Sequence, residues 1–379
     1  MDKDTFYWYW LNGIKGVGPV IMNRLLSVSG GSAEAVYRTE PEGFIGLDGV
    51  TDEIISNIKE SKQDGRIYEN LLLYEEKGFH FVTRNDPQFP KNLKNIPDPP
   101  AGLFMRGNLI EHQPPIVAMV GSRGCTVYGR EVAYNIARKL SEVGVIIVSG
   151  MAAGIDSASH RGCITGGMPT FAVLACGVDT CYPAANIDLF ENILRYNGTI
   201  ISEYEPGTAP IKGRFPMRNR LISGMADALI IVEARAGSGS LLTAEYALEQ
   251  NKDIFCVPGR ITDPLSSGTN NLIKNGANML TCVEDILIKS GIRARLDETK
   301  EESYGNSWEI KKRHVDPLNK NERTIYSAFS KNWMSLDQIV KASGLPVSTV
   351  QVCLIQMELK GAITLEAQGL YSRNALDES

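Results

Sequence analysis

Four cations, Lys212, Arg214, Arg218 and Arg220, crowd the stretch Pro210-Ile211-Lys212-Gly213-Arg214-Phe215-Pro216-Met217-Arg218-Asn219-Arg220, with one aromatic ring threaded among them. Guanidinium groups can hold phosphate oxygens through paired N–H arms, and a ring such as Phe215 offers a face on which a base can stack. The two chemistries together suit a single strand of nucleic acid, whose phosphates and unpaired bases are both within reach. The alternative for the same residues is a solvated loop with ordinary surface arginines. A second candidate lies upstream, where the apolar run Ile116–Val120 stops on Gly121-Ser122-Arg123. Gly124 and Gly129 follow, ahead of a helical pattern in Val132, Ile136, Ala137, Leu140 and Val143. A buried strand that turns there into a helix would leave free backbone N–H groups at the helix N-terminus, where anions bind, so the turn is read as phosphate-binding.

Several chemistries lack the residues they need. A dinucleotide site calls for Gly-x-Gly-x-x-Gly and an acid after the second strand; the glycines here are Gly121, Gly124 and Gly129, and the second strand ends Val148-Ser149-Gly150. No Gly-x-x-x-x-Gly-Lys-Ser/Thr loop occurs, which removes the main support for ATP hydrolysis. A Ser or Cys triad needs a histidine, and His160 is the only one between Ile116 and Lys289. The four histidines (His80, His112, His160, His314) have no metal-ligand spacing, and the seven cysteines are scattered without a Cys-x-x-Cys pair. The expectation is a chain with no cofactor, no metal site and reduced, structural cysteines. A net charge of −5 does not advertise a nucleic-acid binder, but a mildly acidic chain can carry a local basic groove. No run of eighteen apolar residues occurs, and Met1-Asp2-Lys3-Asp4 is not a signal-peptide start, so a cytoplasmic protein with no membrane partner is expected.

These candidates require a scaffold, and 379 residues allow two or three domains. Between Ile116 and Lys289 strand and helix patterns alternate, which calls for an α/β fold: a doubly wound parallel sheet covered on both faces, with ligands at the carboxyl ends of its strands. Expected strands are 116–120, 145–148, 170–174, 199–201, 228–232 and 253–257. Expected helices lie near 127–143, 155–165, 187–195, 218–225 and 240–250. Residues 1–84 read as a small helical domain. Its glycine turns, Gly13-Ile14-Lys15-Gly16-Val17-Gly18 and Ile45-Gly46-Leu47-Asp48-Gly49-Val50, resemble tandem helix-hairpin-helix units, or else are tight helix connections. The aromatics Phe6 to Trp10 read as a packing patch. The proline-punctuated stretch from Asp86 to Pro100 marks the boundary, so 85–290 forms the core and the charge-mixed 291–316 a linker. Residues 317–379 show three helical patterns and a β-like end, the order of a winged helix. Its presumed recognition helix, Ser348 to Glu358, carries neither lysine nor arginine, which points to protein contact rather than DNA reading.

The motifs Gly121-Ser122-Arg123, Ser149-Gly150-Met151-Ala152-Ala153-Gly154-Ile155-Asp156, Gly177-Val178-Asp179 with Tyr182-Pro183, Ser202-Glu203-Tyr204 and Phe215-Pro216-Met217-Arg218-Asn219-Arg220 occur in this order. So do Val232-Glu233-Ala234 through Ser238-Gly239-Ser240-Leu241-Leu242-Thr243-Ala244 and Val257-Pro258-Gly259. Together they resemble the bacterial DNA-processing protein A (DprA/Smf) family across most of Phe89 to Leu280, and the flanking domains fit that family's helical and winged-helix modules. The resemblance implies a Rossmann-like core without enzymatic activity that binds single-stranded DNA, forms a homodimer and helps load the RecA recombinase during natural transformation. It further implies that Arg123 grips a backbone phosphate. Gly121, Ser122, Gly150, Lys212, Arg214, Phe215, Arg218, Asn219 and Arg220 then belong to the same DNA-binding pocket. A competing resemblance is to the lysine-decarboxylase-like nucleotide phosphoribohydrolases, through Gly237-Ser238-Gly239-Ser240-Leu241-Leu242-Thr243-Ala244-Glu245, with Ala236 and Ser238 departing from their Pro-Gly-Gly-x-Gly-Thr-x-x-Glu loop.

Overall fold

Continuous apolar runs without alternation build the centre of the molecule, because a strand covered on both faces must be apolar on both sides. The computed structural model describes residues 3–109, 114–302, 318–329, 333–359, 362–365 and 369–373. Five helices open the chain: α1 (Lys3–Gly13), α2 (Pro19–Val28), α3 (Ala33–Arg38), α4 (Asp52–Ser61) and α5 (Arg66–Glu76). Trp8, Tyr9, Trp10 and Leu11 of α1 are buried, so the aromatic run is packing. The first glycine turn is held to α4, with Asn57 donating to the Lys15 carbonyl at 3.0 Å.

Next come β1 (Phe79–Thr83), β2 (Gly102–Gly107) and β3 (Ile116–Val120), followed by α6 (Val127–Glu142), β4 (Ile146–Ser149), α7 (Ile155–Gly166), β5 (Thr170–Leu174), α8 (Ile187–Arg195) and β6 (Thr199–Ser202). The core continues through α9 (Arg214–Met225), β7 (Ala228–Ile231), α10 (Gly239–Glu249), β8 (Asp253–Cys256), α11 (Ser267–Lys274), β9 (Asn278–Met279), α12 (Val283–Lys289) and α13 (Ile292–Glu302). These strands form one sheet in the order β1-β2-β6-β5-β4-β3-β7-β8-β9. From β6 to β9 all neighbours run parallel, as expected, whereas β1 and β2 extend the sheet as antiparallel strands.

Three expectations shift. The sheet begins at Phe79, inside the region expected to be helical, because Phe79 and Phe81 pair with β2 across a proline-rich connection that hides the hairpin. The expected linker opens with α13, held by buried Ile292 and Leu296, whose spacing puts both on one helix face; residues 303–317 lie outside the described residues. The helix expected from Arg218 begins already at Arg214, which places most of the basic run on a helix rather than a loop.

At the C-terminus, α14 (Lys320–Ala328), β10 (Met334–Ser335), α15 (Leu336–Ser343), α16 (Val347–Leu359), β11 (Ile363–Leu365) and β12 (Leu370–Arg373) give a helical unit with a β10-β12-β11 sheet. Capping boxes at Asn319/Glu322 and Ser335/Gln338 start α14 and α15. On α16, the presumed recognition helix, Val352 and Ile355 point outward, 55% and 61% exposed. Among the described residues no single helix is long and apolar enough to cross a membrane.

Candidate nucleic-acid interface

The sheet reverses direction of winding at β3, which has β4 on one side and β7 on the other, and ligands of doubly wound sheets gather at the strand ends beside such a point. Gly121-Ser122-Arg123 leaves β3 there. Gly121 has no side chain because a Cβ would lie 2.6 Å from Ile155 at the start of α7. The Ser122 N–H donates to the Glu233 carbonyl at 2.8 Å, and the Ser122 carbonyl accepts from Ile155 at 3.3 Å. The loop backbone is therefore fixed on both sides, while the Arg123 side chain stands exposed.

The N-terminus of α6 is not the open anion site that the glycine spacing suggested. Glu233, only 2% exposed, reaches into it from the end of β7. Its carboxylate accepts from Thr126 N at 2.9 Å and from Thr126 Oγ1 at 2.5 Å. Gly129 leaves room for that carboxylate, since a Cβ there would come within 2.3 Å of it. The loop before α7 is fixed by a carboxylate of that helix itself: Asp156 accepts from Gly150 N at 3.2 Å and Ala152 N at 3.3 Å. Burial pushes the Asp156 carboxyl above the usual carboxylate range, and the Arg218 guanidinium pulls it back.

Depth and helical phase together divide the basic run. Arg214 and Arg218, four residues apart, share a face of α9 and differ in how far they lie from its exposed first turn, whereas Arg220 is turned to another side. Phe215, half-buried on the first turn of α9, has the Arg123 guanidinium over its ring at 5.4 Å and the Tyr182 ring tilted against it at 5.5 Å. Arg214 lies over the half-buried Tyr204 ring at 4.7 Å and donates to the Ala209 carbonyl at 2.7 Å. Lys212 is exposed in the loop before the helix. Thus Arg123, Arg214, Phe215, Tyr182 and Tyr204 gather at one strand-end surface, two cations resting on rings, with Lys212 exposed in the loop that leads into it.

Arg218 lies just beneath that surface, its guanidinium 6.0 Å from the Phe215 ring, while Arg220 and Gly150 are enclosed by the protein. Arg218 is 5% exposed and donates to the carbonyls of Gly150, at 2.8 Å, and Val173. Gly150 is buried beneath it, since a Cβ would lie 2.6 Å from the guanidinium. Arg220 is fully buried, donating to both oxygens of Glu203 at 2.6 Å and pairing with Asp98 at 3.0 Å. Burial pushes the Glu203 carboxyl upward and Arg220 opposes it. Asn219 uses both ends of its amide, accepting from Arg218 Nε at 3.2 Å and donating to the Gly239 carbonyl at 3.4 Å, so it links α9 to α10.

Tyr182 and Tyr204 are the residues that sequence reasoning left out of the site. Both stood in recognisable strand-end motifs, but a single aromatic in a loop has no periodicity to show which side it faces. Glu233 escaped for another reason: what a buried carboxylate caps depends on which helix the sheet order brings to it.

Fold and site together define a Rossmann-like α/β protein with a C-terminal winged helix and a cationic, aromatic strand-end surface. A model of the family described as DNA recombination-mediator protein A matches residues 80–291, and one of the DprA winged helix domain matches residues 310–369; the chain belongs to the DprA/Smf family of DNA-processing proteins. It is 33% identical to protein Smf of Synechocystis sp. over 397 aligned positions, covering 98% of this chain and 99% of that one. The crystal structure of DNA processing protein A from Streptococcus pneumoniae superposes with a TM-score of 0.66 at 32% identity, over 76% of this chain and 99% of the other. DNA processing protein A from Helicobacter pylori, whose structure concerns its single-stranded DNA binding mode, superposes with a TM-score of 0.50 at 31% identity, over 58% of this chain and 96% of that one.

Proposed function

We propose that the chain binds single-stranded DNA at the strand-end surface formed by Gly121-Ser122-Arg123, Lys212, Arg214 and Phe215. The observation that carries this reading is the Arg123 guanidinium resting at 5.4 Å on the Phe215 ring, beside a carbonyl-anchored Arg214 and an exposed Lys212. A phosphate can take the cations while an unpaired base takes a ring, and nothing in the cluster reads a base-pair edge. The H. pylori relative, studied for its single-stranded DNA binding, supports the assignment. Within that reading the protein protects incoming strands and loads RecA during natural transformation, a role in keeping with its recombination-mediator family. It acts as a cytoplasmic homodimer, and the exposed apolar side chains Met279, Ile261 and Ile288, at 53%, 97% and 71%, are available to such an interface.

The test is fluorescence anisotropy with labelled single and double strands across a salt series. Arg123→Ala is expected to weaken single-strand binding and to reduce the log–log salt slope by about 0.7, the value of one phosphate contact on a single strand. An unchanged slope removes Arg123 from the phosphate path. Release of free base from nucleoside monophosphates at ordinary enzymatic rates would overturn the non-enzymatic reading in favour of the phosphoribohydrolase one.

A further inference from the structure

We propose that Glu233 is the positioning residue of the DNA site: a resident anion that occupies the α6 N-terminus and, through it, sets the loop that carries Arg123. The inference rests on the single-strand reading of that site.

The loop 122–126 is held at both ends by the same residue. At its start, Ser122 N–H donates to the Glu233 main-chain carbonyl at 2.8 Å. At its end, Thr126 gives the Glu233 carboxylate both its N–H, at 2.9 Å, and its hydroxyl, at 2.5 Å. The Thr126 hydroxyl accepts in turn from Gly129 N at 3.0 Å, so one carboxylate completes the first turn of α6 through a relay. Glu233 is itself immobilised from the far side. Ala234, the next residue, donates to the Leu265 carbonyl and accepts from Gly268 N, both at 2.8 Å. Two glycines are cut to fit around the clamp: a Cβ on Gly129 would strike the carboxylate at 2.3 Å, and one on Gly154 would meet the Ser122 and Arg123 carbonyls at 2.4 and 2.6 Å.

Two consequences follow from this geometry. An external phosphate approaching α6 meets a carboxylate already seated on its donors, so the strand-end crevice receives its anion from within the chain. The Arg123 side chain, meanwhile, projects from a backbone tied at Ser122 and Thr126, which directs the guanidinium to the Phe215 ring without any side-chain partner of its own in the loop.

A mutant cycle read by single-strand anisotropy over a salt series tests the proposal. Glu233→Ala is expected to weaken binding about tenfold, as expected when the two side-chain hydrogen bonds that fix the loop are lost. Its salt slope should fall by about 0.7, as for Arg123→Ala, because the misplaced guanidinium no longer displaces a counterion. In the Arg123→Ala background the Glu233 substitution should cost nothing more. Glu233→Gln, which can still accept from Thr126 N, should restore most of the affinity. A full Glu233→Ala loss on top of a weakened Arg123→Ala, or a wild-type slope in Glu233→Ala, overturns the positioning role and leaves the site standing. Wild-type binding by Arg123→Ala brings down the site reading itself. Should Glu233→Ala fail to fold, Thr126→Val removes the hydroxyl arm and its bond from Gly129 N but keeps the Thr126 N–H arm; about a threefold loss, absent in the Arg123→Ala background, is then the expected result, and a loss that persists there overturns the proposal.

Discussion

Helix α9 carries its cations in two unlike settings. On its first turn and in the loop before it, Lys212 and Arg214 keep their charges at the surface, Arg214 lying on the Tyr204 ring. Deeper in the same helix, Arg218 and Arg220 are buried among carbonyls and carboxylates. The residue type is the same, and the physical role is reversed. An exposed guanidinium keeps water on some of its donors and can exchange it for phosphate. A buried one has lost that water and is held by partners whose removal would leave uncompensated charge. The density of basic residues in a sequence therefore does not measure a binding surface until the helical phase and the neighbouring strands are known.

The largest expected effect lies on the inner side. Arg220→Ala leaves Glu203 buried without its counter-charge and should lower unfolding stability by about 3–5 kcal/mol in a denaturant titration. A loss confined to DNA affinity, with stability intact, would move Arg220 to the outer set. On the outer side, Phe215→Leu should weaken single-strand binding by about 1–3 kcal/mol while leaving the thermal midpoint near that of the parent. An effect within error would make the ring structural.

His160, packed near Arg218, gives a pH signature for the inner side. Burial, with Arg218 adding to it, lowers its pKa from 6.5 to about 3, so the folded protein holds it neutral. The unfolded chain takes up the proton below about 6.5 while the folded chain does not, and stability drains away as pH falls from there toward 3. Relative to His160→Gln, the parent should lose about 1.4 kcal/mol per pH unit in that window. Parallel pH profiles for the two proteins would contradict the neutral, buried state. The smallest effect belongs to the C-terminal unit. Removing residues 318–379 should leave single-strand affinity within about twofold, since α16 has no cation to offer phosphate. Loss of most affinity would make the winged helix a DNA-binding element.

Much of this protein was legible before any fold was known. Strands such as Ile116–Val120, Thr170–Leu174 and Ala228–Ile231 announce themselves because both their faces are buried, leaving apolar runs that need no context. The absence of a ribose acid and a Walker lysine was likewise a property of the string. The hairpin β1–β2 was not visible, because its partners stand far apart in the chain around prolines and pair only through the sheet. Sequence by itself thus determined the alternation of elements, the family motifs and the chemistry to look for. Tertiary structure alone decided which of Arg214, Arg218 and Arg220 face water, and that the α6 N-terminus is filled by Glu233. Both depend on the same physical fact: a side chain's availability is set by what the neighbouring strand supplies, and β3 meets β7 only once the sheet has formed.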